Sequence, residues 1–344
     1  MNILITGAAG FIGSQLAYRL WKNKENVILI DNFSYGQEDN LIFPDCDFRD
    51  KIINMDIRDK VGIANLLKEH KPDYIYNIAG IAPLPDCQLN PTEAIDVNLT
   101  GFVNILENAR LYGVKKIIQA STNAMYENET EFPTFENNFK VPTLIYPNTK
   151  YCAERFAESY CKTYGMNITC LRFANVYGPH IDCLRKQPPF VAYMIRELYY
   201  DRTPIFHSNG EQRRDYIYVD DLIELAILVK DSKGFDAINV SSNKNYSVNE
   251  IYELAQKIMG KNIKANYASD THYWEKYPEL YSGAYPIKEE ILNREINKYS
   301  LCDNSLAKEK YGWEPTVSME EGLRKVIKYE CEMFDNLEKN SAKN

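Results

Sequence analysis

The 344-residue sequence predicts an α/β protein, a Rossmann-type doubly wound parallel sheet with a smaller C-terminal α/β substrate-binding domain. Three observations predict it. Short apolar runs alternate with helical stretches through the N-terminal half, the order that builds a parallel sheet with helices on both faces. A glycine-rich turn, TGAAGFIG, joins the first apolar run to the first helix, where such folds hold phosphates. From about residue 180 the alternation loosens into longer loops, as in a second and less regular domain.

In chain order, strands are predicted at NILIT, NVILID, IINMD, YIYNIAG and KIIQAS, with helices over 11–23, 59–70 and 91–112. A long helix starts near Pro147, a first-turn position where the missing proline N–H costs nothing. Its tail, YCAERFAESYCKTY, keeps an apolar stripe at helical spacing. ITCLRFANVYG is a sixth strand, GPHIDCLRKQPP a loop by its Gly and Pro content, and FVAYMIRELYY and DDLIELAILVKD are helices. AINVSS returns as a strand. The tyrosine- and proline-rich segment 265–295 reads equally as a solvent-facing lid or a packing insertion. The expected domains are 1–178 for a dinucleotide and 179–338 mainly for a substrate, with the chain crossing back to the sheet around 215–245.

Composition narrows the classes. Hydrophobic residues at 45% and charged residues at 26% are ordinary for a globular chain. A formal charge of −8 argues against nucleic acid or an anionic membrane as a partner. No apolar run reaches the roughly 18 residues that a bilayer requires. The N-terminus opens at once on a strand and a glycine turn, so no signal peptide is expected. The eight cysteines form no Cys-x-x-Cys pair and no zinc-like grouping with the four histidines. Reduced thiols, no metal and a cytoplasmic location follow as expectations.

Gly7, Gly10 and Gly13 lie between strand and helix, with Phe11 and Ile12 opening the helix. Glycine there permits positive φ and close backbone approach to a pyrophosphate. The next strand ends on Asp31, followed by Asn32, and a carboxylate at that point can bind both hydroxyls of an adenosine ribose. Its charge would repel a 2′-phosphate, which favours NAD over NADP. The alternative is that Asp31 only caps its own loop, DNFSYG. Asp56 and Ile57 either flank the adenine or form a surface turn.

YPNTK places Tyr146 and Lys150 four apart at a helix start, on one face. A free phenol, with a pKa near about 10, is a poor base at neutral pH. A nearby ammonium and a positive nicotinamide ring would stabilise the phenolate. Tyr-x-x-x-Lys also arises by chance on helix surfaces; its position just after the fifth strand of a dinucleotide fold gives it meaning.

TGAAGFIGS, Asp31, NIAGIA, VNLTG, STNAMY, YPNTK, RFANVYGP, RRDYIYVDDL and YGWEP occur in this order along nearly the whole chain. Together they resemble the extended short-chain dehydrogenase/reductase superfamily, in particular its NAD-dependent nucleotide-sugar epimerases and dehydratases of the UDP-glucose 4-epimerase type. The resemblance implies that Tyr146 is the base, Lys150 its electrostatic partner and a holder of the nicotinamide ribose, and Thr122 the ligand of the oxidised hydroxyl. It implies Ala79 and Gly80 along the cofactor, where many members carry two alanines, and Asn98 in the supporting hydrogen-bond network. Asn175 and Arg214 resemble ligands of the substrate diphosphate; Arg294 is a further phosphate candidate in surroundings that depart from the family pattern. For Arg214 the bland alternative is an ion pair with Asp215 or Asp220. The resemblance also implies a homodimer through the helix after VNLTG and the helix carrying YPNTK, although their apolar stripes fit a monomer core equally well.

The family's first step is oxidation of a sugar hydroxyl by NAD, and the second step depends on the residues after Thr122. The resembling 4,6-dehydratases carry Asp-Glu there, two groups that exchange protons near neutral pH. The resembling UDP-glucuronate decarboxylases carry a glutamate at the place of Ala124. Asn123 and Ala124 can do neither job, which disfavours dehydration and that decarboxylation. A C4 epimerase needs no second acid, because the 4-keto sugar turns over and takes its hydride back, so Asn123 is read as a sugar contact. Thr122–Asn123 also resembles CDP-sugar 2-epimerases, which keeps the epimerised carbon open. An oxidoreductase that releases its product is an alternative, and a non-catalytic NAD-binding regulator would typically lack the Tyr/Lys pair. APLPDCQ, residues 82–88, points to a reshaped pocket, with Cys87 either a proton-transfer group or a packing filler.

Overall fold

The computed structural model describes residues 1–137, 139–185 and 188–341. Lys186 and Gln187 of the predicted loop GPHIDCLRKQPP lie outside the described residues. The chain opens with β1 (Asn2–Thr6), α1 (Phe11–Lys22), β2 (Asn26–Asp31), the short pair β3 (Ile42–Phe43) and β4 (Cys46–Asp47), β5 (Ile52–Asn54), α2 (Lys60–His70) and β6 (Tyr74–Asn77). Next come α3 (Leu84–Leu89), α4 (Pro91–Ile95), a π-helical turn over Asp96–Gly101, α5 (Phe102–Tyr112), β7 (Lys116–Thr122), α6 (Ile145–Tyr164), β8 (Ile168–Phe173) and β9 (Asn175–Tyr177). Then follow α7 (Phe190–Tyr199), β10 (Ile205–His207), β11 (Arg213–Tyr218), α8 (Val219–Leu228), β12 (Phe235–Val240) and β13 (Asn245–Ser247). The last elements are α9 (Val248–Met259), β14 (Asn266–Ala268), α10 (Glu289–Ile296), α11 (Ser305–Tyr311) and α12 (Met319–Ser341).

The chain divides into two compact units. The first comprises Met1–Ala174, Asp220–Val240 and Cys302–Glu314. It is built on a seven-stranded sheet of order β12-β8-β7-β6-β1-β2-β5, with every pair parallel. This is the expected Rossmann-type sheet. Strands buried on both faces read as near-continuous apolar runs, and β7 is buried at all seven positions. Helix α1 turns Leu16, Ala17 and Leu20 into the core, and α2 starts on an Asp59 cap that accepts from Gly62 N at 2.9 Å.

A polar ladder crosses the apolar sheet. Thr6, Asn77 and Gln119 stand in register on β1, β6 and β7. Thr6 Oγ1 donates to Asn77 Oδ1 at 2.7 Å, and Asn77 Nδ2 donates to Gln119 Oε1 at 2.7 Å. Each buried group finds a partner, as buried polar groups must. The ladder marks the strand ends from which the candidate site is built.

Several elements differ from the sequence reading, among them helices α3, α9, α11 and α12, which it did not contain. The helix expected over 91–112 contains the π-helical turn at Asp96–Gly101, a local widening that hydrophobic spacing does not report. A Cβ at Gly101 would come within 2.7 Å of Ile57 Cγ1, so close packing at this turn requires glycine. The expected strand ITCLRFANVYG is two strands, because β8 pairs with β7 and β12 whereas β9 pairs with β11. The β3–β4 pair was not anticipated; its Phe43 ring stacks on Tyr18 of α1 at 4.0 Å.

The second unit holds Asn175–Val219, Ser241–Leu301 and the chain from Pro315 onward. It contains a mixed sheet β13-β11-β9 and a parallel pair β10-β14. Helix α9 begins with a reciprocal Ser247–Glu250 capping box. Segment 265–295 is built into this unit: β14 pairs with β10, and Trp274, Leu280 and Leu292 are buried. Among the described residues no helix is long and apolar enough to cross a membrane.

Candidate active site

The glycine turn after β1 has no room for a Cβ at Gly7 or Gly13. Gly7 has φ +67°, and a Cβ there would lie 2.8 Å from Ala79 N. A Cβ at Gly13 would lie 2.0 Å from Gly7 O. Gly10 is the N-cap of α1 and supplies no side-chain acceptor, and half-buried Phe11 and Ile12 follow it. A helix start with this arrangement offers backbone N–H groups and a positive dipole end to an anion. The cradle fits the pyrophosphate of a dinucleotide.

Asp31 closes the turn. Its Oδ2 accepts from Ala9 N at 2.9 Å and its Oδ1 from Phe33 N at 2.7 Å. Burial pushes the carboxyl up, and these N–H groups pull against it. Asp31 thus caps its own loop, while an ionised carboxylate has lone pairs left for further donors. Asn32 Nδ2 donates to Asp56 Oδ2 at 2.8 Å. The Arg58 guanidinium beside Asp56, helped by Asn32, holds its carboxyl down at about 2. Ile57 is buried against Gly101 of the π-helical turn.

The reactive end converges on the C-terminus of β7. Thr122 Oγ1 accepts from Ala124 N at 3.0 Å, and its hydroxyl lies beside the Tyr146 phenol, near enough to pull the phenol's pKa down. Lys150 is buried, and its Nζ donates to Ala120 O at 3.1 Å. Asn98, on the π-helical turn, takes Ile81 N on Oδ1 at 2.8 Å, while its Nδ2 donates to Ile81 O at 2.9 Å and to Thr149 Oγ1 at 3.1 Å. Ala79 N donates to Thr6 Oγ1 at 3.1 Å. At Gly80 a Cβ would sit 2.9 Å from Asn98 Oδ1 and 3.0 Å from Lys150 Nζ, so the chain passes directly against both groups. Thr122, Tyr146, Lys150, Asn98 and Gly80 are therefore gathered in one place.

The charges there differ from the simplest expectation. Burial pushes the Tyr146 phenol up to about 12, outweighing the neighbouring Thr122 hydroxyl that pulls it down. Burial brings Lys150 down to about 8. In the protein alone the phenol is protonated at neutral pH, and enclosure dominates any help from the ammonium. Cys87 packs beside Ile81, Ala94 and Tyr146, with its thiol 3.4 Å from Ile81 O. Burial pushes that thiol up to about 12, which favours the packing reading over proton transfer. Asn123 is buried, and its Nδ2 has no hydrogen-bond partner.

The remaining candidates lie in the second unit. Asn175 is exposed, and its Nδ2 donates to Asp215 O at 2.9 Å. Arg214 is half-buried and makes neither ion pair considered from the sequence. Its Nη2 donates to Glu295 O at 2.8 Å and Ile296 O at 3.2 Å, where the last carbonyls of α10 need donors. The Asp215 carboxylate instead accepts from Ser241 Oγ. Arg294 is exposed in the last turn of α10.

The sequence reading passed over Ser121, Glu154 and Arg172, which form buried hydrogen bonds beside Thr122. The available signal was a charged residue at an inward position of α6 and another inside the apolar run of β8. Among the described residues no group of three metal-type ligands occurs, and all eight cysteines are free.

Comparison with known proteins places this geometry. A family model described as the NAD dependent epimerase/dehydratase family matches residues 3–241. A UDP-glucose 4-epimerase from Thermotoga maritima, solved with UDP-glucose, is 31% identical, with 97% of this chain and 100% of that chain covered and a TM-score of 0.85. A UDP-glucose 4-epimerase from Thermus thermophilus, solved in complex with NAD, is 26% identical, with 96% and 98% covered and a TM-score of 0.79. A putative UDP-glucose 4-epimerase of Methanocaldococcus jannaschii is 28% identical, with 95% of this chain and 97% of that protein covered.

Proposed function

The chain belongs to the NAD-dependent epimerase/dehydratase family, and from that premise we propose that it is a nucleotide-sugar 4-epimerase that keeps its NAD through turnover. The observation that carries the reading is the pair Asn123–Ala124 directly after Thr122. Neither side chain exchanges protons near neutral pH, whereas elimination needs groups that do. Relatives named as UDP-glucose 4-epimerases support the same reaction.

Bound NAD supplies a hydride acceptor and donor for the substrate carbon. The glycine turn at Gly7, Gly10 and Gly13 would hold its pyrophosphate, with Phe11 and Ile12 at the helix start. Asp31, with Asn32, would take the adenosine ribose, and Asp56 and Ile57 would flank the adenine. Ala79, Gly80 and Asn98 would line the nicotinamide half. Tyr146 Oη takes the proton of the sugar hydroxyl and later returns it, and Thr122 Oγ1 orients that hydroxyl. Since the phenol alone stays protonated to about 12, the base form depends on positive charge near it, which Lys150 supplies while protonated. Asn123 is proposed as a sugar ligand, because a buried amide nitrogen without a partner calls for an acceptor. Asn175 and Arg214, and less directly Arg294, are proposed contacts of the substrate diphosphate, where guanidinium pairing would be strong.

Incubation with UDP-, GDP-, CDP- and dTDP-sugars is expected to give a product inverted at one ring carbon, C4 by NMR, with no net NADH absorbance. Stoichiometric NADH with a released keto sugar would make the protein an oxidoreductase instead. Inversion at C2 would match the Thr122–Asn123 resemblance and displace the C4 assignment.

A homodimer is also proposed. Leu111 and Tyr112 on α5 and Phe156 and Tyr164 on α6 are exposed apolar or aromatic groups on the helices through which the sequence resemblance implies pairing. Sedimentation should return twice the 39.9 kDa chain mass; a monomer at micromolar concentration would refute it.

A further inference from the structure

Three consecutive residues at the end of β7 face three successive turns of α6. Thr122 lies beside Tyr146, its hydroxyl near enough to pull the phenol's pKa down. Ala120 O accepts from Lys150 Nζ at 3.1 Å. Ser121 Oγ donates to Glu154 Oε1 at 2.6 Å. Tyr146, Lys150 and Glu154 stand four apart, so they share one helix face.

Glu154 is fully buried, and Arg172 of β8 balances its charge. The pair is bidentate, with Nε to Oε1 at 3.0 Å and Nη2 to Oε2 at 2.6 Å. Arg172 Nη1 continues to Tyr126 Oη at 2.7 Å and to Glu136 O at 2.8 Å. Tyr126 in turn donates to Asn239 Oδ1 of β12 at 2.6 Å. The guanidinium is therefore braced from the loop after β7 and, through Tyr126, from β12. A buried ion pair is a poor way to gain stability, since apolar residues of similar volume often serve as well or better. A fully satisfied network does fix one arrangement of the elements it joins.

We propose that Ser121, Glu154 and Arg172 are positioning residues that set the register of the end of β7 against α6, and so place Thr122 relative to Tyr146 and Ala120 O relative to Lys150. The consequence for turnover rests on the proposed role of Tyr146; the geometric part does not. Ser121 carries the direct tie, because among the described residues its hydroxyl is the side-chain link from β7 to the Glu154–Arg172 pair. Without it the ion pair survives and Lys150 still reaches Ala120 O, but the strand end is no longer held to Glu154 and the tie through Lys150 alone fixes it less closely.

The test is Ser121→Ala in the full chain, which leaves Glu154 and Arg172 paired. NMR titration of the Lys150 side chain, assigned by comparison with Lys150→Met, is the first readout. Its midpoint should rise by ~1 pH unit, a tenfold change in the protonation equilibrium, as the ammonium gains access to water. With UDP-glucose as the probe substrate, kcat should fall about 10- to 100-fold with KM changed by less than about twofold, as expected of a small misplacement at a reacting centre. Ser121→Cys, with a weaker donor of similar size, should fall between parent and alanine in both readouts, and it carries the comparison should the alanine variant not fold. An unchanged Lys150 midpoint overturns the proposal, whatever happens to the melting temperature. If Tyr146→Phe turns over UDP-glucose like the parent, the proposed function fails separately, while a moved Lys150 midpoint still upholds the positioning role.

Discussion

Replacing Tyr146 with Phe is expected to lower turnover by about three orders of magnitude while the protein stays folded, since a positioned acid–base group typically contributes ~10²–10⁴-fold. The ring is part of the packing around Ile81, Cys87 and Ala94, and phenylalanine preserves that contact. The substitution removes one hydroxyl, and Thr122 beside it keeps its own partner, because its Oγ1 accepts from Ala124 N at 3.0 Å. The stability change should accordingly stay within about 1 kcal/mol, the usual net worth of one hydrogen bond. The variant should also still bind dinucleotide, because the glycine turn and Asp31 are untouched. Kinetics on an accepted nucleotide sugar, a melting curve and the dinucleotide content of the purified variant check the three parts together. Full activity in a folded Tyr146→Phe protein would remove the phenol from the proton transfer and with it every enzymatic role assigned above.

That prediction rests on residues that could be read directly from the chain. Gly7, Gly13, Asp31, Tyr146 and Lys150 are legible because each obeys a local rule: a turn that excludes Cβ, a strand end, a four-residue helical repeat. The core strands are legible for the same reason, since parallel strands buried on both faces appear as unbroken apolar runs. What was not legible depends on contacts between distant parts of the sequence. ITCLRFANVYG looks like one strand, and only the neighbours of each half, β7 and β12 for one and β11 for the other, divide it. The guanidinium of Arg214 ends at the carbonyls of Glu295 and Ile296, 81 and 82 residues away. Glu154 and Arg172 look like ordinary charged residues until burial makes them obligatory partners. The phenol's raised pKa is of this kind too, because burial arises from the whole fold and not from the Tyr-x-x-x-Lys spacing.

Burial of Lys150 leads to the second large effect, and it runs in two directions at once. The lysine is 4% exposed, and burial brings its pKa from 10.5 to about 8. Its folded value lies below its unfolded one, so between about pH 8 and 10.5 the unfolded chain binds more protons and stability rises with pH. Below about pH 8 the charged ammonium is held at full cost, roughly 3 kcal/mol at 1.36 kcal/mol per pH unit. Lys150→Met removes that cost and keeps the stem's packing. It leaves no orphan acceptor either, because Ala120 O still accepts from Gln119 Nε2 at 2.9 Å. The dinucleotide-free variant should therefore be more stable than the parent by about 1–3 kcal/mol at pH 7, with the advantage fading as pH rises through 8 toward 10.5. Turnover should move the opposite way and fall ~10²-fold or more, because the phenolate loses its fixed positive neighbour. Such opposition is expected where a site retains a group that the fold alone would reject. Urea midpoints at pH 7 and pH 10, measured beside kcat, decide it. A methionine variant that is less stable than the parent at both pH values, by the same amount, would mean that the ammonium bears no burial cost, and the electrostatic account of this site would fail.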